Sequence, residues 1–438
     1  MKLTPSPVEI EEYEGFLPEK DIFQRKNFAE KLSNLIENVS DELVLAIDAP
    51  WGEGKTTFVK MWQGMLKEQN IESIYFDAFQ NDFLDDPLLA LVGEVYSLLD
   101  EETETKEEFK NKAVSAIKTI GKASIRIGLK ALTAGVLDET VLEGAGAEKE
   151  ITDMSDSYIS SRLDSLKDDK ASIEEFKITL SATAETVGGG NKIVFIIDEL
   201  DRCKPSFALD LLEKIKHIFS IPGIVFVLVM NREQMDEVIR SRYGAGIDST
   251  KYLQKFVHIW TGLPKSPDGY TSNGKKYLND CLKRMDFELK TRTEQAGLEL
   301  YEELIEHYNI SLREIERSLS NYAIIHNLTD GKLNPDYSWL SIYLCIVKVL
   351  YPNSYRKLAL GNISYEKTIK ETQLQSFETD HWKDDKPEGH PLRWLLKYYL
   401  SGEDEVKELL THGNFSEGRG HGRSAVVDIC EWLETFKR

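Results

Sequence analysis

The sequence predicts an α/β fold: a parallel sheet of about five strands flanked by helices, with a helical insertion and a helical C-terminal region. Three observations carry it. Short apolar runs recur at Leu43–Asp48, Ile193–Asp198 and Ile224–Met230, the pattern of strands buried on both faces of a parallel sheet. Segments of helical periodicity alternate with them, as in successive βα units. After about Pro264 the strand signals stop.

Residues 1–20 are rich in Pro and Glu and read as an extended lead-in. Asp21–Asn38 reads as a helix capped by Asp21, because Phe28, Leu32, Leu35 and Ile36 recur at helical spacing. The strand at 43–48 is followed by a helix over Lys55–Gln69, a strand at Ile74–Phe76 and a helix over Pro87–Leu99. These complete the first part of the core, residues 1–100. From 101 to 187 the chain is charged, poor in aromatics and helix-favouring, and it ends at Gly188-Gly189-Gly190. A helical insertion is expected there. The core resumes over 188–265 with the strand Ile193–Asp198, a helix over Phe207–Phe219, the strand Ile224–Met230 and a candidate fifth strand at Phe256–Trp260. Residues 266–334 are expected to form a helical lid. Residues 335–438 are expected to form a C-terminal helical domain, closed by an amphipathic helix at Ile429–Phe436.

Bulk properties exclude several classes. Net charge is −21, from 54 basic and 75 acidic residues, which argues against a general nucleic-acid binder and leaves room only for a local basic groove. Cys203, Cys281, Cys345 and Cys430 are far apart and form no CxxC pair. That argues against a disulfide framework or a zinc site and fits a reducing compartment. None of the eight histidines shows metal spacing. The first residues lack the apolar run of a signal peptide. The uncharged stretch His217–Asn231 is too short to span a bilayer. A cytoplasmic protein is expected.

Between the first strand and the helix at Lys55 lies Ala49-Pro50-Trp51-Gly52-Glu53-Gly54-Lys55-Thr56. A strand, a glycine-rich turn and a helix opened by Lys-Thr make a phosphate-binding loop. Gly52 and Gly54 let backbone N–H groups close around phosphate oxygens without Cβ clashes. Lys55 reaches the β- and γ-phosphates, the Thr56 hydroxyl is a Mg²⁺ ligand, and the helix N-terminus adds its dipole. Pro50 and Trp51 stiffen the turn. Ala49 stands where the pattern begins with Gly. Ala49 and residues Trp51, Gly52, Glu53, Gly54, Lys55, Thr56 and Thr57 are the expected nucleotide-binding set.

Asp198 ends an apolar strand, where a carboxylate can reach Mg²⁺ through water. Glu199 beside it can orient or deprotonate the attacking water. Asn231 ends the next strand; it either senses the γ-phosphate or its water, or closes the strand in a turn. Asp77, Asn81 and Asp82 follow the second strand and read first as a solvated loop.

Asp48-Ala49-Pro50-Trp51-Gly52-Glu53-Gly54-Lys55-Thr56-Thr57, together with Phe195-Ile196-Ile197-Asp198-Glu199-Leu200-Asp201-Arg202-Cys203, resembles the KAP family of P-loop NTPases. That family belongs to a STAND-like branch whose sheet carries an extra strand between the two nucleotide-binding strands. Asp21 and Arg25, Phe226–Met235, Tyr252–Phe256 with Leu263-Pro264, and Leu312–Arg317 extend the match over roughly residues 15–330. The resemblance implies ATP as substrate with Mg²⁺, and Asp198 and Glu199 as the metal and water acids. It implies that Asp201 and Arg202 organise the site or an interface. It makes Arg313 the sensor arginine of the lid, touching the γ-phosphate in cis or across a subunit boundary, with Arg202, Arg232 and Arg317 competing for that role. Ala49, Asn231 and Glu199 depart from its usual pattern. No guanine-reading NKxD motif is present, and the family leans to ATP.

The resemblance further implies a nucleotide-driven switch or assembly factor. A homo-oligomer acting through a separate effector is expected, with defence against phage or signalling as the extrapolated setting. A nucleic-acid clamp and a low-turnover nucleotide-bound scaffold are the alternatives. Many relatives carry transmembrane helices in the insertion. Here Lys118, Lys122, Arg126 and Lys130 share one helix face, and a span would bury them at high cost. The basic stretch 112–132 either touches an anionic membrane surface or nucleic acid peripherally or packs on its own domain. The run 418–423 reads as a surface loop, with anion binding as the alternative.

Overall fold

The computed structural model describes residues 1–11, 13–84, 86–99, 104–133, 170–265, 272–377, 390–402, 406 and 425–435, and the side chains of 104–133 as far as Thr119. Five parallel strands form one sheet: β1 (Leu43–Asp48), β2 (Ser73–Asp77), β3 (Ile193–Asp198), β4 (Ile224–Met230) and β5 (Ile259–Gly262), in the order β2-β3-β4-β1-β5. Strand β4 lies between β1 and β3. Its register pairs Met230 with Asp48 and Val229 with Asp198. The ends of β1 and β3 therefore open on the same edge of the sheet, one strand apart.

The apolar runs are continuous because both faces are covered. Leu45, Ile47, Ile196 and Val227 point to one side, against Phe58, Trp62 and Leu66 of the helix Lys55–Glu68 and against the helix Lys26–Asn38. Phe76, Phe195, Ile197 and Phe226 point to the other, where Leu91, Phe176, Leu212 and Phe219 pack on them. Phe195 and Phe226 stack across the β3–β4 pair at 5.3 Å.

Three expected elements shift. The fifth strand is Ile259–Gly262 rather than Phe256–Trp260. Phe256 closes a turn, its N–H donating to the Leu253 carbonyl at 2.9 Å, and its ring belongs to the core. Its apolar character marks burial, not a strand. The first helix begins at Lys26 rather than Asp21. The Asp21 carboxylate accepts from the N–H groups of Arg25 (2.8 Å) and Lys26 (3.0 Å), so it caps the helix from across a turn. The helix expected over 207–219 is α-helical over Pro205–Lys214 and ends in a π-turn, Ile215–Phe219.

In the insertion, Phe109, Ala113 and Ala116 of the helix Glu104–Thr133 pack on Phe176 and Leu180 of the helix 170–187. Lys112 pairs with Glu175 at 2.7 Å. The described part of the basic helix thus seats its apolar face on the core. Lys118 is exposed. The side chains of Lys122, Arg126 and Lys130, and the run 418–423, lie outside the described residues. No described helix is long and apolar enough to cross a membrane.

Beyond Gly262 every described element is helical. Helices Asn273–Arg284, Arg292–Tyr308, Leu312–Leu328, Pro335–Leu350 and Ala425–Glu434 enclose an apolar centre that includes Leu304, Ile315, Tyr343 and Ile429. Capping boxes at Thr291–Glu294 and Ser311–Glu314 fix where two of them start. All four cysteines are buried and unpaired. The lead-in ties this region to the core. The Lys2 N–H donates to the Met285 carbonyl at 2.8 Å, Arg284 Nη1 donates to the Ser6 carbonyl at 2.6 Å, and Gly15 then lies against Gly64.

A Cβ at Gly64 would sit 2.1 Å from the Gly15 nitrogen, whereas one at Gly93 would meet nothing within 4 Å. Gly64→Ala should therefore cost about 1–3 kcal/mol through overpacking against backbone. Gly93→Ala, on the exposed side of the helix Pro87–Ser97, should stabilise by about 0.5–1 kcal/mol through helix propensity. Urea denaturation of the two variants checks the opposite signs.

Candidate nucleotide site

The turn after β1 is built on two residues in the left-handed region, Gly52 (φ +86°) and Gly54 (φ +77°), which glycine adopts without strain. Gly52 is needed for a second reason: a Cβ there would lie 2.9 Å from the Arg313 Cβ. The helix Leu312–Leu328 thus rests directly on the loop.

Lys55 is buried, and its Nζ donates to the carbonyls of Ala49 (2.6 Å) and Pro50 (3.1 Å). Burial lowers its pKa, with Asp201 and Asp198 opposing. The ammonium is held by neutral carbonyls that an anion can displace. Ala49 is buried, its N–H on the Met230 carbonyl at 3.3 Å. Behind the loop the buried guanidinium of Arg25 donates to the Glu53 carbonyl at 3.1 Å and lies 4.6 Å from the Phe23 ring centroid. Burial brings its pKa down to about 10, against the pull of Glu53 and Asp21.

Asp198 is the meeting point. Its Oδ2 accepts from Thr56 Oγ1 at 2.6 Å and from the Tyr75 hydroxyl at 3.1 Å, and its Oδ1 accepts from the Glu199 N–H at 2.8 Å. Burial raises its pKa in spite of these three donors. Thr56 and Asp198 offer adjacent hard oxygens, which suits Mg²⁺. No group of three His, Cys, Asp or Glu among the described residues could hold a metal. A divalent ion here would need phosphate and water oxygens besides, the usual manner for Mg²⁺.

Glu199 adopts a left-handed backbone (φ +59°) and its carboxylate forms an ion pair with Arg202. Burial raises its pKa and Arg202 opposes the rise. The Arg202 guanidinium lies 5.8 Å from the Trp51 ring centroid, and the Trp51 indole N–H donates to Asp201 Oδ2 at 2.5 Å. The loop and the acidic end of β3 are therefore linked by side chains as well as by the sheet.

Lys55, Thr56, Asp198, Glu199, Arg202 and Arg313 line one cavity of about 220 Å³. Trp51, Gly52, Gly54 and Thr57 line it too, whereas Ala49 and Glu53 line a neighbouring cavity of about 620 Å³ on the side of β5. Asn231 is not among the lining residues. Its side-chain oxygen accepts from the Glu233 N–H at 3.1 Å and caps the helix Arg232–Tyr243. Of the competing arginines, Arg202 reaches the cavity. Arg232 lies 4.8 Å from the Trp260 ring centroid, and neither it nor Arg317 lines the cavity. Tyr75 escapes a reading by motif. The signal is there, since the register sets Asp77 beside Asp198, so Tyr75 shares its face of the sheet.

The model of the KAP family P-loop domain matches residues 25–329. The chain belongs to the KAP family. As a KAP P-loop NTPase it carries the sheet expected of that fold, β4 included. No curated protein matches it. Solved structures similar to it include the Aeropyrum pernix ORC2 protein in ADPNP–ADP complexes, at 14% identity over 94% of each chain with a TM-score of 0.33. Its ADP form is 13% identical over 99% of this chain and 96% of that one, with a TM-score of 0.34. A DNA replication initiation factor is 11% identical over 97% and 98%, at 0.30.

The raised Asp198 pKa has a thermal signature. A carboxyl raised by folding costs stability as pH climbs from its unfolded value, about 3.9, through its folded one, and costs nothing below both. Asp198→Asn removes that cost. The melting temperature of the variant relative to wild type should therefore rise as pH climbs from about 4 to about 7, on top of a pH-independent loss from the hydrogen bonds an amide cannot accept, as read in thermal melts of nucleotide-free protein.

Proposed function

We propose that this chain is a Mg²⁺-dependent ATPase that acts as a nucleotide-driven switch. One observation carries the reading: Lys55, Thr56, Asp198, Glu199 and Arg313 line a single small cavity where the helix Leu312–Leu328 rests on the loop. Lys55 exchanges its loop carbonyls for β- and γ-phosphate oxygens. The loop N–H groups from Trp51 to Thr57 surround the phosphates. Thr56 and Asp198 hold Mg²⁺, which when bound neutralises phosphate charge. Glu199 takes a proton from the attacking water, and its raised pKa suits a base. Arg313 senses the γ-phosphate in cis. Asn231, outside the lining of this cavity, orients the next helix. Cavities of about 620 and 390 Å³ share Arg25 and adjoin the loop, giving room for the nucleoside.

In this reading residues 1–100 and 188–265 form the core, 101–187 the insertion, 266–334 the lid and 335–438 a further helical domain. Nucleotide occupancy moves the lid through Arg313 and drives self-association and engagement of a separate effector. Anti-phage defence or signalling is the setting extrapolated from the family resemblance. A low-turnover scaffold is the second reading, favoured by Lys55 lying on loop carbonyls and Glu199 lying on Arg202.

Phosphate release from ATP with Mg²⁺ tests this. Lys55→Ala should abolish nucleotide binding. Glu199→Gln should bind ATP but turn over about 10²–10⁴-fold more slowly than wild type, the usual weight of a general base. Equal, negligible rates in wild type and Glu199→Gln would establish the scaffold instead. Sedimentation with and without ATP reads the assembly step.

A further inference from the structure

Arg202 is held by the residue expected to act on water. Its guanidinium is paired with the Glu199 carboxylate, and it lies over Trp51, whose own N–H is tied to Asp201. Glu199 keeps this pair from a left-handed backbone conformation, which is unfavourable for a residue with a side chain. A carboxylate so paired is held by a cation and is not free to take a proton from water.

Resting on the ATPase reading above, we propose that Arg202 is a γ-phosphate sensor that frees Glu199 only when a nucleoside triphosphate fills the cavity. Arg202, Glu199, Lys55 and Thr56 share the same 220 Å³. A terminal phosphate held by Lys55 and Thr56 therefore arrives beside the guanidinium. The existing pair can exchange partners, because both side chains keep access to the cavity and remain partly exposed, at 29% and 20%. A terminal phosphate offers more: nearly two charges and three oxygens, matched in two-point fashion by the planar guanidinium. Trp51 keeps the guanidinium at the loop while its partner changes. A diphosphate leaves the terminal position vacant, so Arg202 stays on Glu199. Arg313 differs, because its backbone packs against Gly52 and, among the described residues, Glu199 pairs with Arg202 instead.

The test compares affinities of the full chain for ADP and for AMP-PNP, both with Mg²⁺, in wild type, Arg202→Ala, Arg202→Lys and Glu199→Gln. Wild type should prefer AMP-PNP. Arg202→Ala should lose about 10-fold or more in AMP-PNP affinity while ADP affinity stays within about twofold, the contrast expected of a charge-assisted contact to the terminal phosphate alone. Arg202→Lys should recover part of the loss. Glu199→Gln leaves Arg202 in place and releases it, so AMP-PNP should bind more tightly and ADP should not. Equal losses for both nucleotides, or no loss for either, overturn the sensor assignment while leaving the ATPase reading intact. A wild type that binds neither nucleotide overturns both.

Discussion

Everything in this molecule that resembles chemistry depends on keeping the carboxylate of Asp198 buried at the end of a parallel strand. A buried carboxylate must be hydrogen-bonded, and its three donors come from three different places. Thr56 comes from the phosphate loop, Tyr75 from β2 and the backbone of Glu199 from its own strand end. Satisfying one charge thus fixes the spacing of the loop, the sheet edge and the acidic turn. Strand β4, inserted between β1 and β3, sets that spacing in the first place.

The strands were legible because burial on both faces makes each of them one continuous apolar run. Leu43–Asp48, Ile193–Asp198 and Ile224–Met230 start and stop where their apolar runs do. Phe256 misled because core burial outside a strand looks the same in one dimension. Asp21 misled because a cap can act across a turn. At the site, contiguous motifs gave Lys55, Thr56, Asp198 and Glu199, since their spacing is local. Tyr75 and the contact of Gly52 with Arg313 are products of long-range packing and carry no local pattern. Asn231 illustrates the reverse: a polar residue at a strand end was open to two readings, and the carboxamide oxygen went to the simpler task of capping a helix.

Two kinds of linkage meet at the loop. The first is electrostatic: Lys55 on carbonyls, Arg202 on Glu199, Trp51 on Asp201. The second is steric: glycine against the backbone of an arginine. Their division of labour follows from range. Charged groups can exchange partners within a small cavity without moving the chain. A close-packed contact moves only when a whole helix does.

The contact between Gly52 and Arg313 has a consequence for ionic strength. Charge pairs that remain partly exposed weaken as salt rises. Close packing of a glycine on a helix start does not. The packing of the loop on the helix start is therefore indifferent to salt, whereas the partly buried Glu199–Arg202 pair weakens by degrees. The two links at the loop thus differ in how they answer to the ions around them.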